Sequence, residues 1–585
     1  MLRPFLEFAR PYRGAYALGL VHLVLTNALS LAIPWLLGDA IRAMERGAEP
    51  ELLAKYAGAM LLLALVQAWV RTLSRLRILG ASRQIVYDMR NRFFAQLQRL
   101  DARFYDSQRT GDIMSRGVND LQLLQSFYGP GVMNLLNTAI VYLAVLVLLL
   151  RIDAPLTFLA VSLFPLLYLA VNRLSKRVYA RSLAVQEQLA LISNRAQENL
   201  SGIQQVKIFA QEEREIRAFA ELCAEFRLRN LSLARIRGAM VSLIGLASGL
   251  GTIVVLAVGG SHVIQGRIGF GDFVAYNAYL ALLAWPTVAL GWIVNVFQRG
   301  AGAMERLQEI LRAAPAVPSP DVAPGAEIEP LDGDIEIRGL SFTYSGDGDP
   351  GRGRYSLENV SLSIPRGSRV ALVGAVGSGK STLVNLLARV YPAPAGTIFL
   401  GGVDINELPV ERLRRSIGYV PQEAFLFSRS LRDNIALGNP GASDEEISRA
   451  LGLSHLEGDL DLLPEGLATV VGERGFTLSG GQRQRATLAR AALRAPRILI
   501  LDDSLSSVDA DTEKAILEEL ARQREGRTLL LISHRLSTLA GVDRIVVLER
   551  GRIVEDGTHA ELLARGGLYA RLFRRHLLEE RLDAR

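Results

Sequence analysis

Apolar residues gather into six runs near 16–38, 54–73, 129–151, 155–174, 240–264 and 273–297. Each has about the 20 mostly apolar residues that a helix needs to cross the hydrocarbon of a membrane. The gaps between runs alternate in kind. Those after the first, third and fifth are short, whereas those after the second and fourth are long, helix-patterned and rich in arginine. Folded as two antiparallel helices rising 1.5 Å per residue, each long gap extends about 40 Å beyond the membrane. With the basic sides facing the cytoplasm, both termini and both long gaps lie there. Helix breaks at Asp101-Ala102-Arg103-Phe104-Tyr105-Asp106 and Ser201-Gly202-Ile203-Gln204-Gln205 mark the far ends of these extensions. The stretch Leu2 to Arg10 is patterned as an amphipathic helix at the membrane interface, and no span carries a secretory-signal pattern ahead of it.

The pattern changes after residue 312. Pro315, Pro318, Pro320, Pro324 and Pro330 interrupt residues 313–333 and forbid a continuous helix, so this stretch reads as a linker. Residues 334–575 then alternate strand and helix patterns, and 576–585 form a charged tail. Three short apolar runs stand out: Val370-Ala371-Leu372-Val373, Ile498-Leu499-Ile500-Leu501 and Leu529-Leu530-Leu531-Ile532. Their continuous hydrophobicity predicts strands buried on both faces of a parallel sheet. The expected fold is therefore a multi-domain membrane protein. An all-α six-helix transmembrane domain with long cytoplasmic extensions, residues 1–312, precedes an α/β domain at 334–575.

Polar residues at the ends of those three strands carry the candidate chemistry. The first runs into Gly374-Ala375-Val376-Gly377-Ser378-Gly379-Lys380-Ser381-Thr382 and then a helix pattern. Glycines let backbone N–H groups wrap a phosphate, and the helix N-terminus favours the anion. Lys380 reaches the β/γ-phosphates, and the Ser381 hydroxyl suits Mg²⁺. Only five lysines occur in the chain, so one at this position is not background. Ligands of open α/β sheets sit off the carboxyl ends of the strands, which brings Asp502 and His534 to the same nucleotide. Asp502 is expected to hold Mg²⁺ and His534 to contact the γ-phosphate. Asp503 stands where a general base for water is needed, yet it is one methylene shorter than glutamate and loses about 1.5 Å of reach.

In this order, with Leu478-Ser479-Gly480-Gly481-Gln482-Arg483-Gln484-Arg485 between them, the motifs resemble those of the ATP-binding cassette family. The resemblance covers nearly the whole chain and implies a phosphate-loop ATPase cassette fused behind an exporter-type membrane domain. It implies that Ser479, Gly480, Gly481 and Gln482 act on ATP held by a second cassette, and that Gln422 touches Mg²⁺ and the membrane domain. Ser506 to Asp509 would cross the dimer interface, and Thr469 to Gly475 would meet the intracellular loops. Either Tyr344 or Tyr355 would stack on adenine, and residues 101–106 and 201–205 would form coupling helices. The run from Asp502 to Asp509 also resembles the degenerate subunit of bacterial heterodimeric exporters. That implies a partner half-transporter with its own catalytic glutamate; a homodimeric exporter or lipid flippase is the alternative, and an ATP-gated channel or regulatory subunit a further one.

A net charge of +7 and a pI near 9.5 raise the question of nucleic acid. The arginines lie largely in the expected cytoplasmic gaps, so anionic lipid and topology account for them and no nucleic-acid partner is expected. The expected location is the bacterial inner membrane, multi-pass, with the cassette in the cytoplasm. The single cysteine, Cys223, excludes an intrachain disulfide. Asn27, Gln67, Asn137, Asn277, Trp285 and Asn295 are candidates to line a path for small-molecule or peptide substrates, and Pro286 to kink the sixth span.

Overall fold

The computed structural model describes residues 2–317, 320, 330–344, 356–472, 478–522, 526–533, 535, 539 and 541–583. It divides into two compact units, Met1–Leu97 with Gly111–Arg312, and Gln98–Thr110 with Ala313–Arg585.

The first unit is built of helices joined by short turns, with no strand among its described residues. Arg3–Glu45, Pro50–Arg99, Thr110–Ile152 and Phe270–Arg312 are long and apolar enough to cross a membrane. The expected spans near 155–174 and 240–264 fall on the helices Ala154–Ser201 and Glu212–Val254, the latter continued by the apolar stretch Gly251–Ile264. These last two long helices pack along one another. Asp153 starts Ala154–Ser201 by accepting from Leu156 N at 2.8 Å, and its other oxygen lies 2.8 Å from His262 Nδ1. At Leu283 the last apolar helix is interrupted, Phe270–Leu282 giving way to Ala284–Arg312 three residues before Pro286. Proline supplies no N–H to the preceding turn, which favours such a break.

Two expectations change. The apolar face of Leu2–Ala9 packs largely on protein: Phe5 lies 4.4 Å from Phe127 between ring centroids, and Arg92 sits over Phe8 at 5.2 Å, leaving Leu6 exposed. An amphipathic pattern fixes that one face is apolar but not whether lipid or protein covers it. The charged tail is also more regular than expected, because the helix Leu568–Asp583 runs through it. No proline or glycine interrupts that stretch.

The second unit carries two sheets. Strands β1 (Ile335–Phe342), β2 (Leu357–Ile364), β4 (Ile398–Leu400) and β5 (Val403–Asp404) form an antiparallel sheet in the order β2-β1-β4-β5. The larger sheet joins β3 (Arg369–Val373), β6 (Ile417–Val420), β7 (Ile498–Asp502), β8 (Thr528–Ile532), β9 (Arg544–Glu549) and β10 (Arg552–Gly557), ordered β10-β9-β3-β8-β7-β6. All its pairings are parallel except that of the edge strand β10. All five residues of β7 are buried, as its unbroken hydrophobicity requires. The three apolar runs are thus β3, β7 and β8, with β8 between the other two.

One ion pair ties two long helices of the first unit. Arg306 donates to both oxygens of Asp120, at 2.9 and 2.6 Å, and Asp120 is only 6% exposed. Arg306→Ala should lower stability by about 1–3 kcal/mol, because a buried carboxylate loses its charged donors. Thermal unfolding in detergent measures this, and adding Asp120→Asn should restore part of the loss.

Candidate nucleotide-binding site

Parallel register puts the ends of β3 and β7 side by side across β8, with Leu372 opposite Ile532 and Ile532 opposite Asp502. The loop after β3 needs its glycines. Gly379 has φ 102, and a side chain there would start 2.6 Å from the carbonyl oxygen of Ser356. Gly374 and Gly377 also hold positive φ. The helix Lys380–Leu387 follows at once. Lys380 is buried and folds back into the loop, donating from Nζ to Gly374 O at 2.8 Å and Ala375 O at 3.0 Å, with Ser378 Oγ at 3.5 Å. Burial pulls Lys380 below the ordinary lysine range, while the charges of Asp502 and Asp503 oppose the shift. An anion arriving at Nζ acts in the same direction as those carboxylates.

Ser381 Oγ donates to Asp502 Oδ1 at 3.1 Å, so two of the three expected Mg²⁺ ligands adjoin. Tyr419, at the end of β6, brings its hydroxyl to 3.2 Å from both Asp502 Oδ2 and Asn385 Oδ1. Burial pushes Asp502 above the usual carboxylate range. The bonds from Ser381 and Tyr419 oppose this, the charge of Asp503 adds to it, and Lys380 opposes it. Asp503 has φ 47 and donates its N–H to Ile532 O at 2.9 Å, which turns the chain sharply out of β7. Gln422 is exposed beyond β6 and forms no hydrogen bond with Ser381 or Asp502. His534 lies outside the described residues.

Tyr344 donates to Thr382 Oγ1 at 3.2 Å and stands edge-on to Tyr391, with ring centroids 5.0 Å apart. Tyr355 is outside the described residues. Tyr391 in turn donates to Asp106 Oδ2 at 2.7 Å. Asp106 belongs to the short helix Ala102–Ser107, and Asp101 caps that helix by accepting from Arg103 N at 3.1 Å. The other oxygen of Asp101 accepts from Ala316 N at 2.5 Å and Val317 N at 3.2 Å. The segment Gln98–Thr110 is held in the second unit at both ends of its helix.

The signature residues begin the helix Gly480–Leu493. Ser479 Oγ accepts from Gln482 N at 3.2 Å, and Gln482 Oε1 accepts from Ser479 N at 2.9 Å. This capping box uses an acceptor lone pair of Ser479 and leaves its hydroxyl proton for another acceptor. A Cβ on Gly481 would lie 2.9 Å from Ser507 O, so this glycine permits close packing on the loop Ser504–Asp509. Gln484 holds the same loop, donating to Ser506 Oγ at 3.1 Å and accepting from Ser507 N at 2.8 Å. Arg535 clamps it from the other side through Ser506 O, Val508 O and buried Glu513 at 2.7, 2.8 and 2.5 Å. Farther along, Thr469 O accepts from Leu431 N, and Val471 N donates to Arg429 O, each at 2.9 Å; Glu473 to Gly475 lie outside the described residues.

Tyr419, Asn385, Tyr391, Gln484, Glu513 and Arg535 were not singled out by sequence. Tyr419 sits three residues before Gln422, and Gln484 within the signature run, but nothing in their spacing announces their partners.

The family models for the ABC transporter transmembrane region and the ABC transporter match residues 16–287 and 357–506. A probable multidrug resistance ABC transporter ATP-binding/permease protein of Bacillus subtilis is 35% identical over 573 residues, covering 98% of this chain and 97% of that protein. The chain belongs to the ABC transporters. An ATP-dependent lipid A-core flippase of Syntrophus aciditrophicus is 33% identical to this ABC transporter, covering 100% of this chain and 95% of the relative. Among solved structures, a bacterial Atm1-family ABC exporter with ATP bound matches with a TM-score of 0.80 and 28% identity, over 96% of this chain and 99% of that one. The chain is thus an ABC exporter half-transporter, a membrane domain fused to one ATP-hydrolysing cassette, and it works in ATP-driven export.

Two outcomes follow from the geometry. Tyr419→Phe removes a donor to Asp502 and should weaken Mg·ATP binding at this site about 3- to 10-fold, as titration with a fluorescent ATP analogue will read. Gln484→Ala leaves Ser507 N–H without its acceptor. It should cut ATP turnover of the assembled transporter about tenfold, with ATP affinity at this chain's own site kept within about twofold.

Proposed function

We propose that this chain is the slowly hydrolysing half of a heterodimeric exporter of hydrophobic or amphipathic compounds. In this it resembles the B subunit of the Tmr multidrug exporter, a relative in kind of the antigen-peptide transporter. The observation that carries the reading is Asp503, directly after the buried Asp502 on a sharply turned backbone. A general base must come within hydrogen-bond reach of its water, and a carboxylate set back by about 1.5 Å serves that role poorly. The buried Lys380 and the adjoining Ser381 and Asp502 support nucleotide binding at this site. Lys380 would exchange its loop carbonyls for phosphate oxygens, Tyr344 or Tyr355 would stack on the adenine, Gln422 would reach Mg²⁺, and His534 would contact the γ-phosphate. The adjoining oxygens of Ser381 and Asp502 fit a hard divalent cation, and Mg²⁺ held there would neutralise phosphate charge.

The signature end of the chain has no such defect. Ser479 keeps its hydroxyl proton, and Gly480 and Gly481 lie close against Ser507, which supports a role in completing a site on a partner that supplies its own glutamate. A homodimer would carry the handicap twice by symmetry; a heterodimer carries it once. In the cycle we infer, ATP binding draws two cassettes together. The helix Ala102–Ser107 and its counterpart near 203–208 pass the movement on, and the membrane helices open outward. Hydrolysis at the partner's site then resets the pair. The multidrug and lipid names of the relatives support an amphipathic substrate in the bilayer, and the basic cytoplasmic extensions support an inner-membrane location with the cassette inside.

Expression alone and with the half-transporter encoded beside it tests the assembly. ATP turnover should be near background for this chain alone and substantial in the pair, and Asp503→Glu should raise the pair's turnover. A dimer of this chain alone with full turnover and transport would show Asp503 to be a competent base and defeat the proposal.

A further inference from the structure

Between its apolar helices the first unit has an open cleft of about 330 Å³, lined among others by Asn27, Arg71, Arg75, Asn134, Asn137 and Trp285. The size is that of a small ligand site. Its hydrogen-bonding groups are unevenly engaged. Thr26 donates to His22 O and Ser74 to Gly19 O, at 2.7 and 3.0 Å, so neither hydroxyl proton faces the cavity. Asn27 uses its amide N–H groups on Leu23 O and Asn137 Oδ1, at 2.9 and 3.0 Å. Asn137 is thereby an acceptor through oxygen and keeps its NH₂ for the cavity. Arg71 and Arg75 have neither an ion-pair nor a hydrogen-bond partner among the described residues, and no Asp or Glu lines the space.

Two guanidinium groups one helical turn apart repel each other where nothing offsets them, so an anion between them is favoured. Their placement along Pro50–Arg99 matters. Arg71 lies about 32 Å along the helix from Pro50, close to the full thickness of the hydrocarbon, which is the cytoplasmic headgroup level in the topology above. Above it the cavity offers the exposed face of Trp285 with Val141 and Leu282, an apolar wall for a hydrocarbon body.

We propose that this cavity is a substrate site selective for anionic amphiphiles, with Arg71 and Arg75 gripping a phosphate or carboxylate, helped by Asn137 Nδ2, while the apolar body lies along Trp285. Paired Arg groups suit such planar or tetrahedral anions because several N–H donors can converge on two oxygens. The assignment rests on the export reading, but it is tested by binding without ATP, so its outcome is independent of which site hydrolyses.

The assembled transporter in phosphatidylcholine nanodiscs is titrated with dodecyl phosphate and with dodecyltrimethylammonium, and the Trp285 signal is isolated by difference from Trp285→Phe. The phosphate should saturate at a concentration at least about tenfold lower than the cation. The pair Arg71→Gln and Arg75→Gln should abolish that preference and leave the cation's curve in place, whereas Arg71→Lys with Arg75→Lys, which keeps the charge but not the fork of donors, should retain part of it. A second arm replaces part of the phosphatidylcholine with phosphatidylglycerol. Competition there identifies a lipid headgroup as the occupant, and its absence a freely partitioning amphiphile. Equal curves for the two probes, a preference that survives the glutamine pair, or one lost equally in both pairs would overturn the proposal and leave the arginines as lipid anchors.

Discussion

The hydrogen bond from Ser381 to Asp502 is the point on which the cassette turns. It joins residues 121 positions apart in the chain, and it forms because β3, β8 and β7 run parallel in register, so that a loop leaving β3 and the last residue of β7 emerge at one edge. Both faces of these strands are buried, and their pairing sets Leu372 opposite Ile532 and Ile532 opposite Asp502. Around the bond, buried Lys380 and Asp502 each meet an unfavourable dielectric, and each is eased by the other's charge. A buried cation and anion awaiting a polyanion and a divalent metal are costly in the empty site and well matched in the filled one.

That constraint also explains what sequence could disclose. The strand-end residues were legible because their chemistry is local: a glycine loop runs directly from strand into helix, and an aspartate ends an unbroken apolar run. The signature was legible for the same reason, its serine and glycines opening a helix. Tyr419, Gln484 and Arg535 were not, because each acts on a residue 22 or more positions away through a contact fixed by the sheet order and not by any spacing. In the membrane domain, apolar runs located the helices, and the N-terminal amphipathic stretch forms the helix its pattern predicts. Phe5 and Phe8 cover protein, and a pattern of faces cannot name the surface that a face will meet. The charged tail was read as an ending because charge is common at ends, but nothing in Leu568–Asp583 stops a helix.

A second theme is asymmetry within one chain. In the proposed assembly the nucleotide-receiving end carries Asp503 in place of a glutamate, and the end that would complete a partner's site is held firmly, with Gln484 and Arg535 clamping the loop that Gly481 abuts. In that assembly the two ends of the cassette would serve different nucleotides, so a change at one end need not disturb the other. A site that binds and releases slowly can keep two cassettes associated while the other site turns over, which gives a physical use to a weakened base.

The decisive observation is the chemical fate of the nucleotide bound by this chain. The transporter assembled with its partner is incubated with Mg·ATP labelled at the α-phosphate and carrying an azido group on adenine, desalted and cross-linked. The nucleotide attached to each chain is then resolved as ATP or ADP. The account predicts that this chain retains mainly ATP over many turnovers while the partner carries mainly ADP. Equal conversion to ADP on both chains would contradict it.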